Sequence, residues 1–253
     1  METLTTTVSR NLDADVTIVV VQGRLSLSSA ATVRSVLAKC IAECPTALVV
    51  DVTGCSVETN AALTVFPSVA RHQDAQPSVA VLVCAGDDTF HRASARVAVG
   101  PVPTYPSRNA ALRAVAEVQA RQQRVTLRLP PSLDSPDEAR RTVNDACDRW
   151  GVSDLAPAAV LVTSELVTNA IVHARTEIAV EAAVRGAFLH LRVRDQSTAP
   201  PVTAEEPWDP TLDHGRGLPI VAAHSAAWGY VLNPDGLGKL VWATLRLRPV
   251  GNG

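Results

Sequence analysis

The chain has 253 residues, a length that suits two domains of ~100 to 150 residues each better than one small domain. Its composition is 47% hydrophobic but only 4% aromatic, and its formal net charge is -2. This combination excludes general disorder, because disordered chains are less hydrophobic and carry more net charge. It also argues against nucleic acids and anionic membranes as partners, because proteins that bind them display a surplus of Lys and Arg.

The sequence predicts neither a signal peptide nor a membrane-spanning segment. Residues 1–15 are polar and lack the basic stretch, apolar core and cleavage site of a signal peptide. The apolar runs 16–21 and 79–84 are far shorter than the ~20 residues that cross a bilayer, so we expect a cytoplasmic protein. The five cysteines are odd in number and lie mostly in apolar sequence, which favours small buried side chains over disulfides or a zinc site. Cys40 and Cys44, one helical turn apart, leave half a metal site as the alternative.

The first half of the sequence alternates short Val-rich strands with Ala-rich amphipathic helices. The predicted elements are a strand at 16–22, a helix at 29–43, a strand at 47–52, a helix at 61–71, a strand at 79–84 and a helix at 110–119. This alternation predicts helices packed on a sheet. The polar run 121–124 marks the expected boundary between a domain at 1–120 and a domain at 121–253.

The second half has a different order of elements. The prediction is a strand at 125–129, helices at 136–150 and 157–174, strands at 176–184 and 187–194, an apolar helix-like run at 219–227, and strands at 230–232 and 240–247. A capping box at Ser135–Glu138 is expected to begin the first helix, and Gly151 to end it. The Arg185-Gly186 dipeptide predicts a two-residue hairpin turn between antiparallel strands. Helices on one side of an antiparallel sheet form an α+β layer sandwich.

A polar stripe interrupts the apolar helix 157–174. Glu165, Asn169 and His173 follow one another at spacings of four, so they lie along one face. Taken alone, this stripe is equally well explained as the solvent face of the helix. A carboxylate and a carboxamide one turn apart can also point into a cleft, where the amide oxygen binds a hard cation such as Mg²⁺ and the carboxylate polarises a water or hydroxyl.

Two further signals follow along the chain. Asp195 ends a strand, a position at which aspartate ordinarily begins a turn. Gly215, Arg216, Gly217 and Leu218 precede an apolar helical run. Glycines at the start of a helix let backbone N–H groups approach phosphate oxygens, although a short glycine motif of this kind also fits a flexible loop.

Together, and in this order, these motifs resemble the GHKL-type ATP-binding fold, in the branch of the anti-sigma factor serine/threonine kinases. The resemblance covers about 125–248, and the segments that carry it are 165–174, 193–195, 214–218, 228–229 and 238–242. It implies that Glu165 is the general base and that Asn169 is a Mg²⁺ ligand. It also implies that Asp195 reads the adenine amino group, and that the turn from Gly215 to Leu218 belongs to a lid over the phosphates of ATP.

Other positions of this half matter less for chemistry. His173 and Trp228 match the branch and are expected to pack or to orient their neighbours. Ser197 stands where the family often has a glycine, which is expected to restrict the backbone beside the nucleotide. The segment 197–213 is the expected lid. A histidine kinase sensor is disfavoured, because the helix 136–150 carries no histidine that could accept phosphate.

Residues 14–119 resemble a STAS domain, the fold of anti-sigma factor antagonists. The segments that carry this resemblance are 23–27, 49–54, 105–107 and 110–112. The implied fold class is thus a two-domain α/β protein, with a STAS-like mixed sheet followed by a GHKL (Bergerat) α+β layer sandwich.

The STAS-like half departs from its family at the switch position. Antagonists carry an Asp-Ser pair whose Ser accepts phosphate, and this pair falls on Thr59 and Asn60. An amide cannot be phosphorylated, so we expect a degenerate module, with Ser56 and Thr59 left open as substitute acceptors. Ala62 replaces the usual small glycine. A short linker gives tethered domains an effective concentration on the order of millimolar, so we hypothesise that this half docks on the ATP-binding half.

These resemblances imply a partner-switching regulator. The expected activity is an ATP- and Mg²⁺-dependent protein serine/threonine kinase, a transferase that modifies a separate STAS-type antagonist protein. The resemblance also implies a sigma factor as a second partner, a role in transcription regulation, and a homodimer. The alternative is a non-catalytic nucleotide-binding module that sequesters a partner, and a third reading is a scaffold made of two relic domains.

Overall fold

The computed structural model describes residues 3–11, 14–71, 79–86, 102–201, 217–232, 236 and 238–248. The chain forms two compact units, Met1–Arg121 and Gln122–Gly253. The first unit contains a mixed sheet and the second an antiparallel sheet, each with packed helices. The predicted fold class of a two-domain α/β protein is therefore confirmed.

The first unit contains a five-stranded sheet with spatial order β1-β2-β3-β4-β5. Its elements are β1 Thr5–Asn11, β2 Val16–Leu25, α1 Leu27–Ala42, β3 Ala47–Val57, a 3₁₀ helix Asn60–Thr64, α2 Val65–Arg71, β4 Ala80–Cys84, β5 Thr104–Tyr105 and α3 Arg108–Ala120. β1 pairs antiparallel with β2, and the other neighbours are parallel.

Helices cover both faces of this first sheet. Leu48 and Val50 of β3 share one core cluster with residues of α1 and α2, whereas Val49 shares another with Ala111 and Val115 of α3. Parallel strands buried on both faces are apolar at every position rather than at alternate positions. This burial explains the continuous apolar run that opens β3.

The second unit contains a fully antiparallel sheet with spatial order β6-β7-β8-β10-β9. Its elements are β6 Arg124–Leu129, α4 Ser135–Arg149, a 3₁₀ helix Ser153–Leu155, α5 Ala156–His173, β7 Ile178–Arg185, β8 Phe188–Asp195, α6 Gly217–His224, β9 Ala227–Leu232 and β10 Lys239–Arg246. Alternate residues such as Leu191 and Val193 of β8 and Val241 of β10 pack in one core with α4 and α5. The helices therefore cover this face of the sheet, as an α+β layer sandwich requires.

Three local predictions for this unit were wrong in detail. Ser135 does not cap α4: Asp134 occupies the N-cap without a side-chain cap bond, and Ser135 donates its hydroxyl to the Pro130 carbonyl at 2.6 Å instead. Arg185 pairs with Phe188 across the hairpin, so the turn is Gly186-Ala187 rather than Arg185-Gly186. The strand predicted at 230–232 begins earlier, at Ala227, because the preceding helix ends at His224.

The segment Ser153–His173 is long and apolar enough to cross a membrane by composition alone. In the structure it contains α5, whose residues Val162, Leu166 and Val167 are buried in the core of the second unit. A central core helix has the same composition as a membrane span, and packing against the sheet accounts for it here.

All five cysteines are free thiols, and four of them are buried: Cys40, Cys44, Cys84 and Cys147. Burial raises the pKa of Cys40, Cys84 and Cys147 to about 11. These thiols are therefore protonated at neutral pH and act as small apolar side chains. Within the described residues, no group of three His, Cys, Asp or Glu side chains is arranged to hold a metal ion.

Candidate functional site

Helix α5 positions the predicted acid and amide at the edge of the core. Its apolar face packs against α4, α6 and the sheet, where Leu166 and Ala170 are buried. Glu165 and Asn169 are half-buried, whereas His173, at the end of the helix, is exposed. The two predicted functional side chains therefore neither face bulk solvent fully nor enter the aliphatic core.

The N-terminus of α6 lies against Glu165. A Cβ atom placed on Gly217 would be 3.0 Å from Oε2 of Glu165 and 3.8 Å from its Cβ. Any larger residue would press on the carboxylate, so glycine permits this close approach. The first turn of a helix carries partial positive charge, which suits a neighbouring carboxylate. The structure thus brings together two of the predicted site residues from distant parts of the sequence.

Asp195 forms a buried ion pair with Lys239, which lies in the segment 238–242 of the resemblance but was given no role of its own. Asp195 ends β8, Lys239 begins β10, and the two are direct cross-strand partners. Lys239 Nζ donates to Oδ1 of Asp195 at 3.0 Å, and the backbone N–H of Ser197 donates to the same oxygen at 2.8 Å. The side chains of Asp195 and Lys239 are each 1% exposed. In this conformation the predicted adenine-reading carboxylate is closed to solvent.

Gly238 makes this pairing possible. Its φ is +108°, and a Cβ atom at this position would lie only 2.1 Å from the carbonyl oxygen of Asp195. A side chain at Gly238 is therefore excluded by collision as well as by the backbone conformation. Because β10 starts pressed against the end of β8, Lys239 comes directly opposite Asp195.

A hydrogen bond ties the end of β8 to the segment that follows α5. The backbone N–H of Gln196 donates to Oγ1 of Thr176 at 3.0 Å, and Thr176 lies shortly after the end of α5 at His173. Asn169 is one helical turn before that end. Asn169 and Asp195 therefore lie towards the same end of the layer formed by α5 and β8, which contact each other.

The remaining predicted site residues divide into three groups. Gly215 and Arg216, with most of the expected lid, lie outside the described residues. Leu218 is buried in the core, so only its backbone remains free for a ligand, and Trp228 packs at the edge of that core. Ser197 has no positive φ, and its N–H closes a turn on Asp195, so this position does not require the glycine that the family often has.

The switch region of the first unit is exposed. Thr59 precedes the 3₁₀ helix that begins at Asn60, and both residues are exposed, as is Ser56. Ala62 is completely buried within this helix, which explains a small residue at the position. Asn60 thus occupies an accessible helix start without offering a hydroxyl group.

Asp51, in the central strand β3 of the first sheet, is held by a basic residue to which the sequence pattern gave no role. Arg108 donates to Oδ2 of Asp51 at 2.7 Å, and Thr53 donates its N–H and its hydroxyl to Oδ1. Burial alone would raise the pKa of the Asp51 carboxyl, but the hydrogen bonds from Thr53 and Arg108 outweigh burial, and the pKa is lowered. Half of the Arg108 side chain remains in contact with water.

Comparison with known proteins found a family model and a solved structure that are similar to parts of the chain. Residues 129–245 match the family model described as the histidine kinase-like ATPase domain. A solved structure of an anti-sigma factor antagonist from Mycobacterium paratuberculosis aligns with the N-terminal part of the chain, at 22% identity and a TM-score of 0.39, over 45% of this chain and 95% of that one. No curated protein sequence matches the chain. The resemblance noted for the second half is confirmed by this match to a histidine kinase-like ATPase domain over residues 129–245.

Proposed function

We propose that the chain is a partner-switching regulator whose second unit binds ATP with Mg²⁺ and phosphorylates a Ser or Thr on a separate STAS-type antagonist protein. The first unit serves as a STAS-derived interaction module. The observation that carries the proposal is the placement of the Glu165 carboxylate against the N-terminus of α6, inside a unit that matches an ATPase family. A sigma factor as second partner, a homodimer and a cytoplasmic location complete the proposal.

The charges around Glu165 favour a site for phosphate together with a cation. A phosphate group at the N-terminus of α6 would lie beside the Glu165 carboxylate, and two anions repel each other unless a cation lies between them. Asn169, one turn further along α5, offers an amide oxygen of the type that hard cations bind. Asn169 therefore fits as a ligand of Mg²⁺, which supplies neutralisation of the phosphate charge when it is bound, and Glu165 remains free to act as the general base.

Each residue then has one task in the reaction. Glu165 accepts the proton of the substrate hydroxyl, whose oxygen forms a bond to the γ-phosphorus while the bond to the bridging oxygen of ADP breaks. Asp195 accepts a hydrogen bond from the 6-amino group of adenine. The backbone at the start of α6 faces the phosphates, because its N–H groups are not used within the helix.

A second candidate function is supported by the closed environment of Asp195. Because its side chain is 1% exposed, nucleotide can reach it only if its surroundings move. A protein whose shape changes on nucleotide binding can hold or release a partner without transferring phosphate. This candidate is the non-catalytic nucleotide-binding module.

One experiment separates the two candidates. The full chain is incubated with γ-labelled ATP, Mg²⁺ and candidate antagonist proteins, and nucleotide affinity is measured by calorimetry with and without Mg²⁺. The kinase proposal expects label on the antagonist, loss of transfer in Glu165→Gln with nucleotide affinity retained, and normal transfer in Glu138→Gln, which removes an exposed carboxylate from α4. Binding without transfer supports the module, and absence of both binding and nucleotide-induced thermal stabilisation refutes both candidates.

A further inference from the structure

The proposed function uses Asp195 to bind adenine but gives no role to Lys239, its buried partner. We propose that Lys239 is a positioning residue that determines base specificity: it holds Oδ1 of Asp195 and leaves Oδ2 as an acceptor for a purine that carries a 6-amino group rather than a 6-keto group. This inference rests on the proposed nucleotide site. It adds a specificity determinant outside the residues that touch the nucleotide in that proposal.

The two carboxylate oxygens of Asp195 differ in their hydrogen bonds. Oδ1 accepts from Lys239 Nζ and from the N–H of Ser197, so two donors already converge on it. Oδ2 accepts no hydrogen bond from any residue that the structure describes. A carboxylate has two oxygens, each of which can accept hydrogen bonds. Oδ2 is therefore the oxygen available for a donor on a ligand.

The side chains of the pair point towards α5. Residues alternate between the two faces of a strand, and Val193 of β8 and Val241 of β10 pack in the core on the helix-covered face. Asp195 and Lys239 lie two residues from these valines, so they are on the same face. Thr176, which is bonded to Gln196, brings the end of α5 to this position. Oδ2 thus lies on the side of the sheet where Glu165 and Asn169 are found.

The contact with Lys239 decides which oxygen of Asp195 is left for a ligand. Lys239 Nζ donates to Oδ1 at 3.0 Å and so fixes the orientation of the carboxylate, which leaves Oδ2 as an acceptor. The amino group of a 6-aminopurine donates, but the oxygen of a 6-ketopurine accepts. By fixing the carboxylate in this orientation, Lys239 favours the amino form over the keto form.

The test compares the affinities of the full chain for ADP and IDP, which differ at the 6-position of the purine, by calorimetry with Mg²⁺ present. We expect the wild-type chain to prefer ADP by about a hundredfold or more, since a site built to bind a donor rejects an analogue that lacks it. Lys239→Met and Lys239→Gln should lower this ratio by about tenfold or more. Lys239→Arg, which keeps the cation, should preserve the ratio within about threefold.

Arg246→Met is the matched control, because it removes a cation from the exposed other end of β10 and should leave the ratio unchanged. An equal loss of ADP and IDP affinity in the neutral variants would mean that Lys239 contributes only stability or phosphate binding, and would overturn the inference. Failure of both neutral variants to fold would overturn it as well, by assigning the pair to stability alone. A wild-type chain that binds neither nucleotide refutes the proposed function itself, whereas binding with an unchanged ratio in the variants refutes only the role of Lys239.

Discussion

In each unit an aspartate of the sheet forms an ion pair with a basic residue, but the two pairs differ in their exposure to solvent. In the first unit Arg108 holds Asp51, and 45% of the arginine side chain is exposed. In the second unit Lys239 holds Asp195, and both side chains are 1% exposed. The Asp51 side chain is only 7% exposed, but its arginine partner can exchange its bonds with water at little cost, whereas neither member of the Asp195–Lys239 pair can. Similar ion pairs should therefore contribute very differently to stability and function.

The largest effect on the buried pair is expected from a substitution of Gly238, whose backbone lies against Asp195. Gly238→Ala should reduce the free energy of unfolding of the second unit by more than about 3 kcal/mol, because its Cβ would collide with the Asp195 carbonyl. Gly236→Ala is the matched control: Gly236 also has positive φ, but a Cβ there has nothing within 4 Å, so the loss should be roughly 1–2 kcal/mol. Urea denaturation followed by tryptophan fluorescence measures both, since all four tryptophans lie in the second half. Equal effects in the two variants would contradict the close contact.

Removing the cation tests the buried pair directly. Lys239→Met should destabilise the second unit by about 3–5 kcal/mol, because it leaves an uncompensated buried carboxyl group. The double variant Asp195→Asn/Lys239→Met should recover much of that loss, since no buried charge remains. The same fluorescence measurement applies. A double variant as unstable as the single variant would show that packing, not charge, dominates at this position.

The two units should also differ in their response to mild acid. Burial, together with the nearby Arg185 and Arg192, lowers the pKa of His190 well below its usual value. The unfolded chain binds a proton at His190 below pH ~6.5 while the folded unit does not, so stability is present above that pH and is lost as the pH falls, by up to about 1.4 kcal/mol per pH unit. His190→Leu should flatten this dependence between pH 6.5 and 5. An unchanged slope in the variant would assign the acid sensitivity to other groups.

The smallest effect is expected at the pair of Arg108 and Asp51, in which only the arginine is partly exposed. Arg108→Met should destabilise the first unit by about 1 kcal/mol at pH 7, measured by hydrogen exchange of the amides of β3. Because the pKa of Asp51 is lowered in the folded state, this contribution is present above the pKa of the unfolded chain and is lost as the pH falls through the folded value. The variant and the wild-type chain should therefore converge in strong acid. A loss as large as that of Lys239→Met would remove the contrast between the two units.

The sequence predicted most of the fold because its patterns are local. The apolar run of β3 and the periodic helix α5 stand in the structure where they were expected. β1 was missed, because its Thr and Ser residues form an edge strand with no apolar run. The start of α4 was mistaken for a capping box, because the hydroxyl of Ser135 has a competing partner in the preceding turn.

Only some of the residues of the candidate site could be predicted from the sequence. Glu165 and Asn169 are four residues apart, so a helix places them on one face, and Asp195 was expected at the end of a strand. Lys239 lies in a segment of the resemblance, but its pairing with Asp195 depends on the strand register and could not be predicted from the sequence. Arg108 is similar: the sequence separates it from Asp51 by 57 positions, and only the fold brings them together.

Asn60 is exposed at the start of a short helix, while Ala62 in the same helix is completely buried, so residue 60 can change without affecting the core. Asparagine and serine codons differ by a single base. One point mutation would thus place a hydroxyl group at this accessible helix start without disturbing the core of the first unit.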